Sequence, residues 1–325
     1  MYNILLFTDS GVDDSLALMY ALLHPELNVV GVVTGYGNIT KKQAINNTAY
    51  LLKLAGREDI PIIAGSTGPL SGELATFYPE IHGPEGLGPI RPPEDLGEVK
   101  VYDINKILEI VKQYANNLVI VGVGRQTDLA IPLILYGREA FESVNAIYIM
   151  GGAFLVPGNV TAEAEANFYA DPIAANQVLE KARNVFLHPL NITNKAIIPP
   201  NVIDYLAENS RSPFKDLIKP VYDYYFEAYK KNVPGIPGAP LHDVITLSAL
   251  VNPNLVKYLP RRVRIELFGG ARGKSMADFR PKPEPEPEAT LDWIGMEADI
   301  PAFIEDFTRV FMDSSKAGEY NSAVP

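Results

Sequence analysis

Three aspartates at a predicted strand-to-helix turn constrain this chain more than any other feature of its sequence. Residues 3–7 form a short apolar run that predicts a buried strand, and the longer apolar stretch after Asp14 predicts a buried helix. Asp9, Asp13 and Asp14 therefore crowd the carboxyl end of a strand, where open α/β sheets place their ligands. Buried carboxylates are costly unless they are paired or bound to metal, and Ca²⁺ suits such oxygen ligands. The alternative, an acidic helix N-terminus favoured by the helix dipole, accounts for Asp13 or Asp14 but not for Asp9 as well.

Predicted strands and helices alternate along the chain. Residues 28–34 are a second apolar, β-branched run, and residues 41–54 that follow it predict a helix. This alternation is typical of a parallel sheet with crossover helices. Further strands are predicted over residues 60–64, 118–122, 145–150, 184–187, 190–193, 263–268 and 291–294. We therefore expect an α/β fold with an open, mostly parallel, Rossmann-like sheet flanked by helices.

Two helices are predicted in succession over residues 199–208 and 213–231, and they form a helical addition near the expected active site. The second is rich in aromatic residues, which at helical spacing are more often core than ligand-stacking groups. The sequence contains no internal repeat and no convincing linker. Residues 1–313 are therefore predicted to be a single domain, and residues 314–325 a flexible C-terminal tail.

The charge and composition of the chain argue against several kinds of partner and site. A formal net charge of -11 argues against a nucleic-acid backbone or an anionic membrane as the main partner. Because the chain has no cysteine, disulfides, thiolate metal sites and cysteine nucleophiles are excluded. Nothing at the N-terminus resembles a signal peptide, and no apolar run reaches the roughly 18 residues of a membrane span. We expect a cytoplasmic soluble protein.

Polar side chains suited to sugar hydroxyls follow two later strands. Asn38 comes after the second predicted strand, at the same sheet edge as Asp9, although an asparagine in a turn is often there for its backbone tolerance. Asn159, Glu165 and Asn167 supply amide and carboxylate groups in a later polar segment. Loop and helix-capping roles are the alternative for these three residues.

Two histidines stand in contexts that leave their roles open. His82 lies in the Gly- and Pro-rich segment of residues 65–98, and loops of this length are usually functional or disordered. In a lid over a pocket, His82 would contact substrate. His242 directly precedes Asp243, which is expected to cap a helix, and an exposed His242 is the simplest interpretation of the pair alone.

Taken in order, these segments resemble the nucleoside hydrolase family of the inosine-uridine-preferring type. Residues 8–14 (TDSGVDD) are similar to the family signature DTDPGIDD, and residues 241–243 match its LHD segment. Residues 82–88 resemble its HGxDGLG loop, with Glu85 in place of the aspartate. The remaining matches, to MGG, GNVT and AEFN, are at residues 150–152, 158–161 and 164–167. Each match alone is weak, but the ordered set covers nearly the whole chain.

The resemblance implies a ribonucleoside N-glycosidase of the EC 3.2.2 type that depends on Ca²⁺. The ion would be held by Asp9, Asp14, Asp243 and the backbone carbonyl of Val123. Asp9 would be the general base that takes a proton from a metal-bound water. That water would attack directly, without a covalent enzyme intermediate, and release free base and ribose. The family also implies a homodimer or homotetramer.

The same resemblance implies which residues contact the substrate. The ribose hydroxyls would be held by Asp13, Asn38, Asn159, Glu165 and Asn167, with the Met150 backbone nearby. Carboxylates around the ribose would stabilise the positive charge of an oxocarbenium-like transition state. His242 would lie beside the base, either as a stacking and polar contact or as a leaving-group acid, a role suited to a side chain that titrates near neutrality.

The chain also departs from the family pattern, and two other functions fit parts of it. Phe7 replaces the first acid of the signature, and residues 123–128 depart from TGPLTN, with Arg125 the most unusual change and its role left open. A phosphohydrolase with an aspartate nucleophile is one alternative, but it usually needs Asp-x-Asp directly at the strand end. A non-catalytic, calcium-dependent nucleoside- or ribose-binding protein is the other, and the retention of Asp9 and His242 argues against it. The preferred base stays open.

Overall fold

The computed structural model describes residues 1–283 and 291–312, and its strands and helices alternate as the sequence predicts. The strands in chain order are β1 (Tyr2–Thr8), β2 (Leu27–Thr34), β3 (Ile62–Ala64), β4 (Val101–Tyr102), β5 (Leu118–Gly122), β6 (Ala146–Met150), β7 (Val185–His188), β8 (Ile197–Ile198), β9 (Ala239–Pro240), β10 (Val256–Arg261), β11 (Arg264–Ile265), β12 (Ser275–Met276) and β13 (Asp292–Ala298). The helices are α1 (Val12–Leu23), α2 (Lys41–Leu54), α3 (Pro79–His82), α4 (Asn105–Tyr114), α5 (Thr127–Tyr136), α6 (Ala166–Ala170), α7 (Pro172–Lys181), α8 (Leu190–Thr193), α9 (Pro200–Asn209), α10 (Lys215–Asn232), α11 (His242–Val251) and α12 (Ile300–Met312).

One large sheet forms the centre of the described chain. Its nine strands lie in the order β10-β13-β7-β6-β5-β1-β2-β3-β4. Every neighbouring pair is parallel except β10 and β13, which pair antiparallel at one edge. The remaining strands form two short antiparallel pairs, β11 with β12 and β8 with β9. The predicted open, mostly parallel α/β sheet is confirmed.

Helices bury both faces of this sheet. Alternate residues of β1 point to opposite faces, so Ile4 and Leu6 belong to one apolar cluster and Leu5 and Phe7 to the other. The first cluster includes side chains of α1, α11 and α12, and the second includes side chains of α4, α5 and α7. A strand covered on both sides must be apolar throughout, which is why β1 reads as an unbroken hydrophobic run.

The order of the strands reverses at β1, and this reversal creates the crevice. From β1 the chain builds outward through β2, β3 and β4, and then returns to place β5 on the other side of β1. Phe7 near the end of β1 is level with Val33 of β2 and with Gly122 of β5. The turns that follow these three strands therefore diverge around a shared opening, the usual ligand site of open α/β sheets.

The predicted helical addition consists of α9 and α10, which pack against each other. Tyr222 and Tyr225 of α10 are buried, and α10 also packs against the short helix α3. This arrangement brings α10 to the rim of the crevice at the carboxyl edge of the sheet. The aromatic residues of α10 thus serve the core, as predicted, and also wall a cavity, as described below.

Three local predictions differ from the structure. Residues 190–193, predicted as a strand, form helix α8, because a four-residue apolar run carries no usable periodicity and Pro189 precedes a turn that buries Leu190 and Ile192. The predicted strand over residues 263–268 is only Arg264–Ile265. The long segment of residues 65–98 contains α3, so it is not without regular structure.

Residues 314–325, predicted as a flexible tail, lie outside the described residues. In the described part of the chain, no helix combines the length and the hydrophobicity that crossing a bilayer requires.

Candidate active site

A cavity of about 700 Å³ opens at the carboxyl edge of the sheet, above β1 and β5. Its volume is in the range that holds a small organic molecule. Ten of the twelve residues that the sequence predicted as metal, catalytic or substrate contacts line it, and they come from segments up to 230 residues apart. These residues are Asp13, Asn38, His82, Val123, Met150, Asn159, Glu165, Asn167, His242 and Asp243. The other two, Asp9 and Asp14, are each 1% exposed and lie behind the lining.

Asp14 organises the turn between β1 and α1. One of its carboxylate oxygens accepts hydrogen bonds from the Thr8 hydroxyl (2.9 Å) and the Asp9 backbone N–H (3.1 Å). The other accepts from the Gly11 backbone N–H (3.2 Å), which closes the first turn of α1. Ser10 takes a positive φ of 41° within this turn, an uncommon conformation for a residue with a side chain. Asp14 therefore provides hydrogen-bond acceptors for backbone N–H groups of a tight turn that would otherwise lack partners.

Asp9 is held by groups from the turns after β2 and β5. The backbone N–H and the side-chain amide of Asn38 donate to its two oxygens at 2.8 and 3.1 Å. The Arg125 guanidinium lies 3.6 Å from the Asp9 carboxylate. A Cβ atom at Gly37 would come within 1.6 Å of Asp9, so only glycine lets this turn approach so closely. The three turns thus hold the Asp9 carboxylate in one orientation.

Buried negative charge is concentrated around the cavity. Burial raises the pKa of Asp9, Asp13 and Asp243 well above the usual range, and repulsion from Asp14 adds to each shift. Burial likewise raises the pKa of Glu165. Carboxylates crowded in this way hold protons more tightly than free ones unless a cation approaches them. The cluster has the electrostatics of a cation site.

The chemistry of these residues fits a calcium ion, although their placement is not yet a ligand cage. Asp13 Oδ1 is buried without a hydrogen-bond partner, and its other oxygen accepts from the Asp243 N–H at 3.3 Å. Carboxylate and carbonyl oxygens are the ligands that Ca²⁺ takes. Among the residues that the structure describes, however, no three His, Asp or Glu side chains already form a group that could hold a metal. Asn38 also donates to both Asp9 and Asp14, so those oxygens would have to be shared or released.

Glu165 and Asn167 line the cavity but are already engaged within the protein. The Glu165 carboxylate accepts three backbone hydrogen bonds, from Gly152, Asn167 and Phe168, and so caps α6. The Asn167 side-chain amide donates to the backbone carbonyls of Val123 (2.8 Å) and Met150 (3.2 Å). The capping role considered as an alternative from the sequence therefore applies to Glu165.

Asn159 is likewise engaged, because its side-chain oxygen accepts from the Ala166 backbone N–H at 3.0 Å. These three residues form a preformed wall of the cavity, and few of their polar atoms lack a hydrogen-bond partner within the protein. By contrast, Asp13 Oδ1 in the cavity lining lacks such a partner.

Both histidines of the cavity are neutral in the folded protein at pH 7. Burial lowers the pKa of His82 and of His242 to about 4. His82 Nδ1 accepts the Val12 backbone N–H at 3.0 Å, so its proton is on Nε2. The sequence-based expectation that His242 titrates near neutrality is therefore wrong, because its ring is removed from water.

A chain of hydroxyl groups surrounds His242. Its Nε2 lies 2.8 Å from the Tyr229 hydroxyl, its Nδ1 lies 2.8 Å from the Thr193 hydroxyl, and Tyr225 donates to Tyr229 at 3.4 Å. Tyr225 and Tyr229 lie on the aromatic helix that the sequence places near the active site and line the cavity, but they were not singled out individually, and neither was Thr193 behind the lining. The tyrosines had the helical spacing of a core face, and the only available signal was the Pro- and Gly-rich break that turns the chain back from α10 towards His242.

Arg125 was singled out from the sequence without a role, and it proves to be a cavity residue. It is 5% exposed and lines the cavity, and its guanidinium contacts both Asp9 and Asn167. The signal was present in the sequence as an unusual residue directly after β5.

Comparison with known proteins gives a consistent result. The inosine-uridine preferring nucleoside hydrolase family matches residues 4–305. Uridine nucleosidase 1 of Arabidopsis thaliana is 32% identical over 278 residues, which are 85% of this chain and 82% of that protein. The pyrimidine-specific ribonucleoside hydrolase RihA of Escherichia coli O8 (strain IAI1) is 33% identical over 293 residues, covering 89% of this chain and 92% of that protein. Among solved structures, a purine-preferring ribonucleoside hydrolase from Gardnerella vaginalis is similar, with a TM-score of 0.88, 27% identity and coverage of 97% of this chain and 99% of that one.

Proposed function

The chain belongs to the inosine-uridine preferring nucleoside hydrolase family and is an N-glycosidase that acts on ribonucleosides, and from that premise we propose how it does so. We infer a calcium-dependent hydrolysis of the bond between ribose C1′ and the base, in which Asp9 is the general base. The comparisons do not favour a non-catalytic nucleoside-binding protein.

The observation that carries the proposal is the concentration of buried carboxylates around one nucleoside-sized cavity. Asp13, Glu165 and Asp243 line it, and Asp9 lies directly behind the lining. Cleavage of an N-glycosidic bond develops positive charge on the ribose ring, and negative groups fixed in a dry site stabilise that charge. The same surroundings would repel an anionic substrate, which supports an uncharged nucleoside over a nucleotide.

The residues that we propose to hold Ca²⁺ are Asp9, Asp14, Asp243 and the Val123 carbonyl. The unpartnered oxygen of Asp13 and the raised pKa values of the neighbouring carboxylates support a cation among them. When bound, such an ion supplies Lewis-acid chemistry that makes water more acidic.

Asp9 is proposed to accept the proton of the attacking water. The hydrogen bonds from Asn38 and the nearby Arg125 guanidinium favour its charged form, whereas burial opposes it. The water oxygen bonds to C1′ as the bond from C1′ to the base nitrogen breaks, the released water proton passes to Asp9, and no covalent enzyme intermediate forms. A carboxylate held by three fixed partners is already oriented for this transfer and loses little entropy in it.

Ribose binding is proposed for Asp13, Asn38, Asn159, Glu165 and Asn167, with Met150 beside them. Asp13 Oδ1 is the strongest candidate for a direct hydroxyl contact, because it is buried, charged when ionised and free to accept. Glu165 and Asn167 already bond within the protein, so we propose that they act mainly through the fixed shape and negative potential of the wall.

His242 is proposed to contact the leaving base, with His82 on the other side of α10's aromatic residues. Because the His242 ring is neutral and both of its nitrogens already bond to the hydroxyls of Tyr229 and Thr193, we propose that it contacts the base through its ring and holds Tyr229 in place, and does not act as an imidazolium acid. The base leaves with the electron pair of the broken bond and takes up a proton from solvent, while Asp9 later returns the water proton to solvent.

Uridine is the substrate that we propose to be cleaved fastest. The support is that the curated relatives at 32% and 33% identity are named for uridine and for pyrimidine ribonucleosides. The homodimer or homotetramer and the cytoplasmic location stay predictions from the sequence.

The experiment is to measure release of free base and ribose from uridine, cytidine, inosine and adenosine by protein stripped with a chelator, with and without added Ca²⁺. We expect little activity after stripping, recovery with Ca²⁺ and the fastest release from uridine. Cleavage at full rate by metal-free protein would refute the calcium dependence. Tight binding of all four nucleosides without release of any base would refute hydrolysis itself.

A further inference from the structure

Arg125 brings a permanent positive charge into the carboxylate cluster. It follows β5, at a position where the family pattern TGPLTN has proline, and its side chain is buried. Among the described residues that line the cavity it is the one lysine or arginine. A guanidinium stays charged at every pH at which proteins fold, so this charge cannot be lost by deprotonation.

The guanidinium of Arg125 is fixed by contacts on several sides. Nη1 lies 3.6 Å from Asp9 Oδ2 and also donates a short hydrogen bond to Asn167 Oδ1. Nη2 donates to Asn38 Oδ1 at 3.4 Å. The group lies 5.9 Å from the centre of the Tyr78 ring, which packs against it. These contacts hold the charge within the cluster.

Each partner of Arg125 is itself tied to the proposed cation site. Asn38 donates to Asp9 and to Asp14, and Asn167 donates to the Val123 carbonyl. Arg125 therefore both pairs with Asp9 and contacts the two amides that occupy oxygens of Asp14 and Val123.

Resting on the proposed function, we propose that Arg125 is a resident counter-cation that competes with the divalent ion for the cluster. A fixed positive charge beside a ligand oxygen repels an incoming cation, and in a buried site this repulsion is only partly screened. Arg125 thus weakens calcium binding and keeps Asp9 oriented when the ion is absent. It is a positioning residue, because it acts through Asp9 and the two asparagines.

A role for Arg125 in binding an anionic substrate is less consistent with its surroundings. Its donors already meet Asp9, Asn38 and Asn167, and the cavity is lined by three carboxylates. An anion would have to displace an existing partner and approach those carboxylates.

The test is calcium binding measured by isothermal titration calorimetry on chelator-stripped protein, without any substrate. We compare the wild type with Arg125→Gln, which removes the charge but keeps an amide, and with Arg125→Lys, which keeps the charge. Arg272→Gln is the matched control, because Arg272 also pairs with a carboxylate, Glu73, and lies over a tyrosine ring, Tyr169, but does not line the cavity. Thermal unfolding of each variant establishes that it folds, and Arg125→Met replaces Arg125→Gln if that variant does not.

We expect Arg125→Gln to bind Ca²⁺ about tenfold more tightly than the wild type, and Arg125→Lys and Arg272→Gln to stay within about twofold of it. Equal affinity in wild type and Arg125→Gln would overturn this inference while leaving the calcium site of the proposed function in place. Weaker binding by Arg125→Gln would also overturn it, because Arg125 would then be needed to arrange the ligands. Absence of binding in every variant, with nucleoside cleavage intact, would overturn the calcium assignment and this inference together.

Discussion

Two regions of the same sheet gather different kinds of side chain, one polar and buried, the other aromatic and partly exposed. Around the ends of β1, β2 and β5, the buried groups are carboxylates, amides and one guanidinium. Towards the antiparallel edge, β6, β7, β10 and β13 carry a stack of rings. In this stack the ring centre of Phe186 lies 4.9 Å from that of Tyr148 and 6.0 Å from that of Trp293. The rings of Phe186 and Tyr258 pack edge to face, with their centres 5.1 Å apart.

The ring stack adds to the stability of the fold, whereas the buried carboxylate cluster reduces it. Offset and edge-to-face ring pairs add about 0.5–1.5 kcal/mol each beyond the area they bury. Buried carboxylates with raised pKa values lower stability, because each would hold its charge more easily in water. Polar crowding of this kind persists where the surrounding structure over-determines it, and it is common at functional sites.

The largest effect that we expect separates the two regions by activity. Asp9→Asn removes the proposed base but keeps an acceptor for Asn38, and should lower the rate of nucleoside hydrolysis by about 10³-fold. The melting temperature should fall modestly, because the buried Arg125 guanidinium loses its carboxylate partner and one donor of Asn38 loses its acceptor. Asp292→Asn is the control, since Asp292 is a buried carboxyl in β13 whose pKa burial raises to about 7. The comparison breaks if Asp9→Asn retains near-normal turnover in a base-release assay, or if Asp292→Asn loses it.

A smaller effect, on stability alone, is expected from the ring stack. Phe186 is half-buried, and Phe186→Ala removes three ring contacts and should lower the free energy of unfolding by about 2 kcal/mol, measured by urea denaturation. The rate per folded molecule should not change, because the stack does not line the cavity. Leu74→Ala, which removes apolar atoms from a side chain that is 95% exposed, is the control and should change little. A loss of turnover in folded Phe186→Ala would show that the two regions are coupled.

The smallest expected effect is a pH dependence of stability that comes from a histidine in the ring stack. Burial lowers the pKa of His188, which stacks on Tyr148 and bonds the Tyr258 hydroxyl, to about 3. The unfolded chain titrates this histidine near 6.5, so below that pH the unfolded state binds the extra proton and stability falls as the pH falls. Between pH 7 and pH 5 this one group should cost about 2 kcal/mol.

His188→Phe keeps a ring in the stack and removes the titration. The variant should therefore lose less stability than the wild type between pH 7 and pH 5, whatever its stability at pH 7. Parallel curves for the two proteins in denaturant titrations at both pH values would contradict a neutral, buried His188.

Much of the fold followed from local pattern, and what did not was decided by distant packing. The alternation of apolar runs and helices predicted the parallel sheet, because a strand covered on both faces must be apolar throughout. The run at residues 190–193 was mistaken for a strand, since four residues carry no period and the turn after Pro189 was decided by burial against other elements.

For the candidate site, the sequence predicted which polar residues come together, but it did not predict their protonation states. The aspartates, amides and histidines expected at one edge do meet there. Their electrostatics were not readable, because the pKa of His242 depends on how completely neighbours exclude water. The individual contact made by Tyr229 could not be assigned for a related reason. A helical face that packs the core along most of its length can end over a cavity, and only the position of α10 on the sheet decides this.

Because the strand order reverses at β1, the residues that surround Asp9 are synthesised at widely separated times. Asp9 and Asp13 emerge from the ribosome early, whereas Arg125 follows more than a hundred residues later and Asp243 later still. At about 5–20 residues per second, the first and last aspartates of the cluster are made roughly 10–50 s apart. The nascent chain therefore carries its repelling N-terminal charges through most of translation before the segments that enclose them exist. The cavity is assembled by long-range closure at the end of synthesis, so a chain cut short before α11 lacks both the enclosing segment and the final carboxylate.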